Sequence, residues 1–168
     1  MAMDVRGVLN STAFFNVVLD AEQLDALAAG VHARTFAKRE VLLRERELGQ
    51  SMFALIEGKV GVSKHSPQGE RSVATLGPGD VVGEMSLFTG ERRSATVTAL
   101  GRVVALEIDK TALQPILDAA PKLVDRFAAL VEQRHAELAN RNQDAGRSLS
   151  LGIGRSEIAA RMFAFYRS

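Results

Sequence analysis

Cysteine is absent from the 168 residues, which excludes disulfides, thiolate zinc sites and a cysteine nucleophile and suits a reducing, cytoplasmic setting. An excess of charge is missing too. Lys and Arg number 21 against 20 Asp and Glu, so no global field draws the chain toward polyanions, and nucleic acid is not an expected partner. No apolar run approaches the roughly 20 residues that span a bilayer. The opening stretch MAMDVRGVLNSTAFF lacks a basic n-region and a cleavage signal, so any membrane association is expected to be indirect, at the cytoplasmic face. His32, His65 and His135 share no i, i+4 or His-x-His spacing, so no metal site is expected and all three read as structural or solvent-facing. No catalytic cluster, internal repeat or low-complexity block stands out, and an enzyme is not expected.

The composition, 46% hydrophobic and 24% charged, is that of a globular chain rather than a disordered or fibrous one. The length suits one core. Residues 1–30 read as an N-terminal helical segment: Asp20 caps a helix, Gln23 completes a capping box, Gly30 ends it, and Leu24 and Leu27 form its apolar side. Residues 31–108 change to short alternating or apolar runs, the pattern of a sandwich or barrel. The expected strands are Val31–Ala37, Val41–Leu43, Met52–Glu57, Lys59–Lys64, Arg71–Leu76, Ala95–Ala99 and Arg102–Ile108. Ser66-Pro67-Gln68-Gly69, Gly77-Pro78-Gly79-Asp80 and Leu100-Gly101 read as hairpin connections between them.

From 109 to 142 the helical period returns. Pro115 is expected to kink or break a first helix. Pro121 opens a longer one with the apolar stripe Leu123, Phe127, Leu130, Val131 and Leu138. Residues 143–168 read as a Gly-containing linker and a terminal amphipathic tail carrying Ile158, Met162, Phe165 and Tyr166 between Arg155, Arg161 and Arg167. Such a stripe folds back on the protein or is disordered, or else touches a membrane or partner.

The stretch GDVVGEMSLFTGERRSATV, residues 79–97, interrupts the β pattern with a short helical piece, Glu84 to Phe88. A helix that starts in a loop presents unpaired backbone N–H groups, and with its dipole these form an anion site that a preceding glycine, here Gly83, lets a ligand approach. Arg93 can fork onto two phosphate oxygens, which a lysine cannot do. A carboxylate beside a phosphate repels it unless it faces a hydroxyl, so Glu84 fits a ribose 2′-OH. The alternative for Arg93 is a surface arginine paired with Glu91 or Glu84.

Gly83-Glu84-Met85-Ser86-Leu87 and Arg93-Ser94-Ala95-Thr96-Val97 resemble the phosphate-binding cassette of the cyclic-nucleotide-binding domain family, and the likeness extends from about Phe14 to Asn142. The resemblance implies a mainly β fold with flanking helices: a double-stranded, jelly-roll-like β-roll (31–108, cassette 79–97), an N-terminal helix and two C-terminal hinge and lid helices (109–142). It implies cAMP or cGMP as ligand, with no separate cofactor, held by Gly83, Glu84, Met85, Ser86, Arg93, Ser94 and Ala95. In it Glu84 takes the ribose hydroxyl, Arg93 the cyclic phosphate, the N–H groups of Ser86 and Ala95 its oxygens, and Ser94 either the phosphate or a guanine. Leu87 is the apolar lever to the helices, and Arg134 and Arg141 are candidates to cover the base.

Two positions depart from the family pattern: Arg39 and Arg46 stand where glycine is usual. If those turns keep positive φ, each arginine costs on the order of 1 kcal/mol. With no catalytic cluster, the output is expected in an attached effector, and the string resembles modules appended to bacterial ion channels. A homodimer through the C-terminal helices is a further expectation. The rival readings are the sensor of a transcription regulator without its DNA-binding part, for which 143–168 is too short, a metal-dependent cupin, and a scaffold that binds nothing.

Overall fold

The run Met52-Phe53-Ala54-Leu55 forms the middle of a strand with both faces covered, and the rest of the molecule is arranged around it. In the computed structural model, residues 4–11, 14–141 and 154–167 are described. Three short helices, α1 (Val5–Ser11), α2 (Phe15–Val18) and α3 (Ala21–Ala28), lead into β1 (His32–Phe36), β2 (Val41–Leu43), β3 (Ser51–Glu57), β4 (Val60–Ser66), β5 (Gly69–Leu76) and β6 (Val81–Val82). Then come α4 (Glu84–Thr89), β7 (Thr96–Ala99), β8 (Val103–Asp109), α5 (Lys110–Ala119), α6 (Leu123–Arg141) and α7 (Arg155–Arg167).

The strands make two four-stranded antiparallel sheets, ordered β1-β8-β3-β6 and β2-β7-β4-β5. Because successive side chains alternate faces, β3 sends Phe53 and Leu55 between the sheets and Met52 and Ala54 toward the helices. Its neighbour β8 divides in the same way, with Val103 and Ala105 inward and Leu106 and Ile108 outward. Two cores result. One fills the roll with Phe36, Val60, Val62, Leu76, Val82 and Val97, and the other joins the first sheet to the helices through Phe15, Leu27, Phe88, Phe127 and Val131. Each such side chain contributes about 1.5–3 kcal/mol on burial.

The roll with flanking helices is the architecture the sequence implied. Asp20 and Gln23 form the reciprocal capping box, and Leu24 and Leu27 are buried. Three details differ. Only Ser66-Pro67-Gln68-Gly69 closes a hairpin, between β4 and β5. Gly77–Asp80 and Leu100-Gly101 instead carry the chain from one sheet to the other, because their flanking strands belong to different sheets. Pro115 lies inside α5 without ending it. The joint falls at Ala120, whose φ of −141° and ψ of 74° leave the helical region just before Pro121. One N-terminal helix was expected where three short ones stand.

The tail is not loose: α7 packs against α4 and α6 and buries Ile158, Ala159, Met162 and Tyr166. Of the stripe on α6, Leu123, Phe127 and Val131 are buried and Leu130 is partly so. The expected linker from Gln143 to Gly152 and the side chains of Leu138 and Arg141 lie outside the described residues. Among the described residues no helix is long and apolar enough to cross a membrane.

Candidate functional site

The strand β6 ends at Val82, and the chain turns at Gly83 with φ 81° and ψ 14° before α4 begins. That left-handed backbone favours glycine. A Cβ at this position would also lie 2.8 Å from Arg93 Nη1 and 3.0 Å from Leu43 Cδ1. The turn therefore places the first residues of α4, whose leading amides have no intrahelical acceptor, at a cleft. Gly83, Glu84, Met85, Ser86, Arg93, Ser94 and Ala95 all line it, with Leu43, Val62, Val81 and Val97 as the apolar wall and Arg92 at its edge. All seven expected contact residues thus meet in one place, although the chain leaves the cleft at 87–91 to complete α4. Leu87 does not line the cleft. It is fully buried in the core shared with the helices.

Arg93 is 8% exposed, and its pairing is not the expected alternative of Glu91 or Glu84. Nη1 donates to the carbonyls of Ser51 (2.6 Å) and Gly83 (3.3 Å), and Nη2 donates to Ser51 Oγ (3.1 Å). The Nε–H takes no part in these bonds. The Arg93 backbone is held as firmly, its N–H donating to Glu47 O at 2.9 Å and its carbonyl accepting from Arg46 N at 2.8 Å. Burial pulls the guanidinium below its ordinary value, and the charges of Glu107, Glu47 and Glu84 oppose that pull. Three surrounding carboxylates thus help keep a desolvated cation charged.

Two contributors escaped sequence reasoning. Gly49 backs the guanidinium: a Cβ there would lie 2.4 Å from Arg93 Nε. Its only signal was a glycine just before a strand. The second is His135, read as structural or solvent-facing. His32 and His65 are exposed, but His135 on α6 is buried, with Nε2 3.3 Å from Glu84 Oε1. The signal was faint, a lone histidine on an otherwise ordinary helix face. Its neighbour Arg134, one of the two candidates to cover a base, donates through Nη2 to Asp80 Oδ1 at 2.9 Å. Both residues bring α6 across the segment that leads into α4. Among the described residues no cluster of His, Asp and Glu could hold a metal ion.

The turns at Arg39 and Arg46 keep left-handed backbone, with φ of 78° and 73°. The chain therefore carries arginine where the geometry favours glycine, and one of the two strained turns is the one whose amide holds the Arg93 carbonyl.

The sequence model of the family described as the cyclic nucleotide-binding domain matches residues 33–120. A cyclic nucleotide-gated potassium channel of Mesorhizobium japonicum is 32% identical over 114 residues, which is 68% of this chain and 30% of the channel. A CRP-like cAMP-activated global transcriptional regulator of Mycobacterium tuberculosis is 25% identical over 117 residues, 69% of this chain and 52% of the regulator. The chain thus spans about half or less of the length of these relatives. The crystal structure of the N-terminal domain of a transcriptional regulator from Streptomyces coelicolor superposes with a TM-score of 0.65 at 33% identity, covering 80% of this chain and 94% of that one.

Proposed function

Since the chain belongs to the cyclic nucleotide-binding domain family, we propose that it is a regulatory sensor module that captures the ring phosphate of cAMP or cGMP and passes the event to an attached effector. The observation that carries this reading is the buried Arg93, bonded to Gly83 O at the start of α4 and sharing one cleft with Glu84. The remaining donors of Arg93, Nε–H and an Nη2–H, form the planar fork that suits two oxygens of one phosphate. Ser86 and Ala95 supply amides to the same phosphate. Glu84 accepts from the ribose 2′-OH, and Gly83 and Met85 shape the approach. Ser94 contacts the phosphate or, with cGMP, the guanine.

Capture draws α4 toward the phosphate, and Leu87, buried against the helical core, transmits the shift to α5 and α6. Differential contact with the nucleotide drives this population shift. No chemistry on the nucleotide is required of the module. A bacterial ion channel is the effector we favour, on the strength of the channel relative, with the protein then at the cytoplasmic face of a membrane and pairing with a second copy through its C-terminal helices. The regulator relatives support a transcription-regulator sensor as the second reading. Titration calorimetry of the full chain with cAMP and cGMP, repeated with Arg93→Ala, is the test. Saturable heat lost in the variant supports the proposal, and absence of heat with both nucleotides returns the module to a non-binding scaffold.

A further inference from the structure

The helix α4 presents Glu84, Met85 and Ser86 to the cleft on its first turn, and it is held at both ends by helices from the far end of the chain. At the first turn, the Glu84 carboxylate faces His135, both side chains more than nine-tenths buried. At the last turn, Tyr166 Oη donates to the Leu87 carbonyl at 2.7 Å. The Phe165 ring lies so close to Gly90 that a Cβ there would sit 2.6 Å from it, and Arg161 pairs with Glu91. The Glu91 carbonyl in turn accepts from Ser86 Oγ at 2.8 Å, which ties that ion pair back to the cleft.

The grip on α4 is anchored elsewhere. Lys110 Nζ and Gln114 Nε2 donate to the last carbonyls of α7, those of Phe165 (2.9 Å) and Tyr166 (2.8 Å), and Glu132 on α6 accepts from the first amide of α7 at 2.7 Å. These contacts make α5, α6 and α7 one unit bearing on α4.

We propose that His135 and α7 form an internal clamp on α4 that competes with nucleotide capture. The His135 ring takes one oxygen of the Glu84 carboxylate, whose side chain is 7% exposed, so a ribose hydroxyl has to reach the other oxygen in a group that solvent hardly touches, and the hold of His135 resists the movement that would present it. Rotation of α4 toward a phosphate has to break the Tyr166 bond to Leu87 O or drag α7 along. Among the described residues the Arg134 Nε–H is also buried with no acceptor, a cost carried by the arrangement in which α6 lies across α4. His135 is thus an affinity-determining residue, and Tyr166 a positioning residue acting through α4.

This inference rests on the nucleotide-binding reading above, and one experiment separates their failures. The wild-type chain, His135→Ala, His135→Gln and Tyr166→Phe are titrated with cAMP and cGMP, and amide exchange of residues 84–91 is followed without nucleotide. Loss of one buried hydrogen bond of this kind corresponds to about fivefold in an equilibrium. His135→Ala and Tyr166→Phe are expected to exchange faster and to bind about fivefold more tightly, while His135→Gln, which keeps an N–H toward Glu84, stays near wild type. Wild type that binds, with His135→Ala binding equally or less tightly, overturns the clamp alone. Absence of binding in every chain overturns the sensor reading and with it the competition.

Discussion

Arg93 and Ser51, 42 residues apart, share two hydrogen bonds: Nη1 to the Ser51 carbonyl at 2.6 Å and Nη2 to the Ser51 hydroxyl at 3.1 Å. Ser51 begins β3, the strand whose two faces are buried. The cation is therefore fixed by one edge of its guanidinium to a strand covered on both faces. That leaves its side edge free of these bonds and gives the residue a structural role besides the one proposed for it.

Replacing Arg93 by lysine separates these roles. The charge remains, but the planar fork and the paired bonds to Ser51 are lost. Nucleotide affinity is expected to fall by about tenfold or more, and unfolding stability by about 1–3 kcal/mol because buried carbonyls lose their donor. Calorimetry and urea denaturation read the two losses separately, and an unchanged affinity would argue against phosphate contact by Arg93.

Gly49→Ala tests positioning without replacing a cleft residue. The added methyl would stand 2.4 Å from Arg93 Nε, so the guanidinium has to shift. Weaker cAMP and cGMP binding with little loss of melting temperature is expected. Wild-type affinity would mean that the exact seat of the guanidinium is immaterial.

Arg39 and Arg46 are held at positive φ, where an L side chain costs about 1–2 kcal/mol. Arg39→Gly and Arg46→Gly are each expected to raise stability by about 0.5–1 kcal/mol, part of the relief being offset by the greater freedom of glycine in the unfolded chain. A chemical denaturation midpoint that falls in both variants would contradict this.

The hydroxyl of Tyr166 is pushed above its ordinary value of 10.0, mainly by burial, with the charge of Asp109 adding to it. The folded state therefore holds its proton where the unfolded state has lost it. This contribution is complete below about pH 10 and declines as pH rises beyond that point. Thermal melts from pH 8 to 11 should show wild type losing stability faster than Tyr166→Phe. Parallel curves would place the hydroxyl in solvent.

Leu87 is fully buried among the helices, so Leu87→Ala is expected to cost about 2–5 kcal/mol. If it also transmits the movement of α4, nucleotide binding in the variant persists while its effect on exchange in α5 and α6 shrinks. Full transmission in a destabilised variant would reduce Leu87 to a packing residue.

Local pattern carried much of this protein into view. Alternation in Val60–Val62, the apolar run Val103–Leu106, the capping box of Asp20 and Gln23, and the Gly83-Glu84 and Arg93-Ser94 strings are all short-range signals. Each is set by backbone geometry or by a spacing that a single loop can satisfy. The short β6, the three N-terminal helices and the sheet-to-sheet role of Gly77–Asp80 gave weaker signals. Two apolar residues do not establish a period, and a Gly-Pro-Gly turn fits either connection.

What the linear order of residues indicated by itself was a β middle between helical ends and a short helical piece flanked by Gly83, Glu84 and Arg93, because these signals depend on neighbours in the chain. Tertiary structure alone decided that Ser51 and Gly49 seat the guanidinium, that His135 faces Glu84, and that Tyr166 grips the Leu87 carbonyl. Those pairs are far apart in the chain, and a lone histidine or tyrosine has no periodicity that names its partner. Only the closing of the sheets and the return of α7 bring them within hydrogen-bond reach.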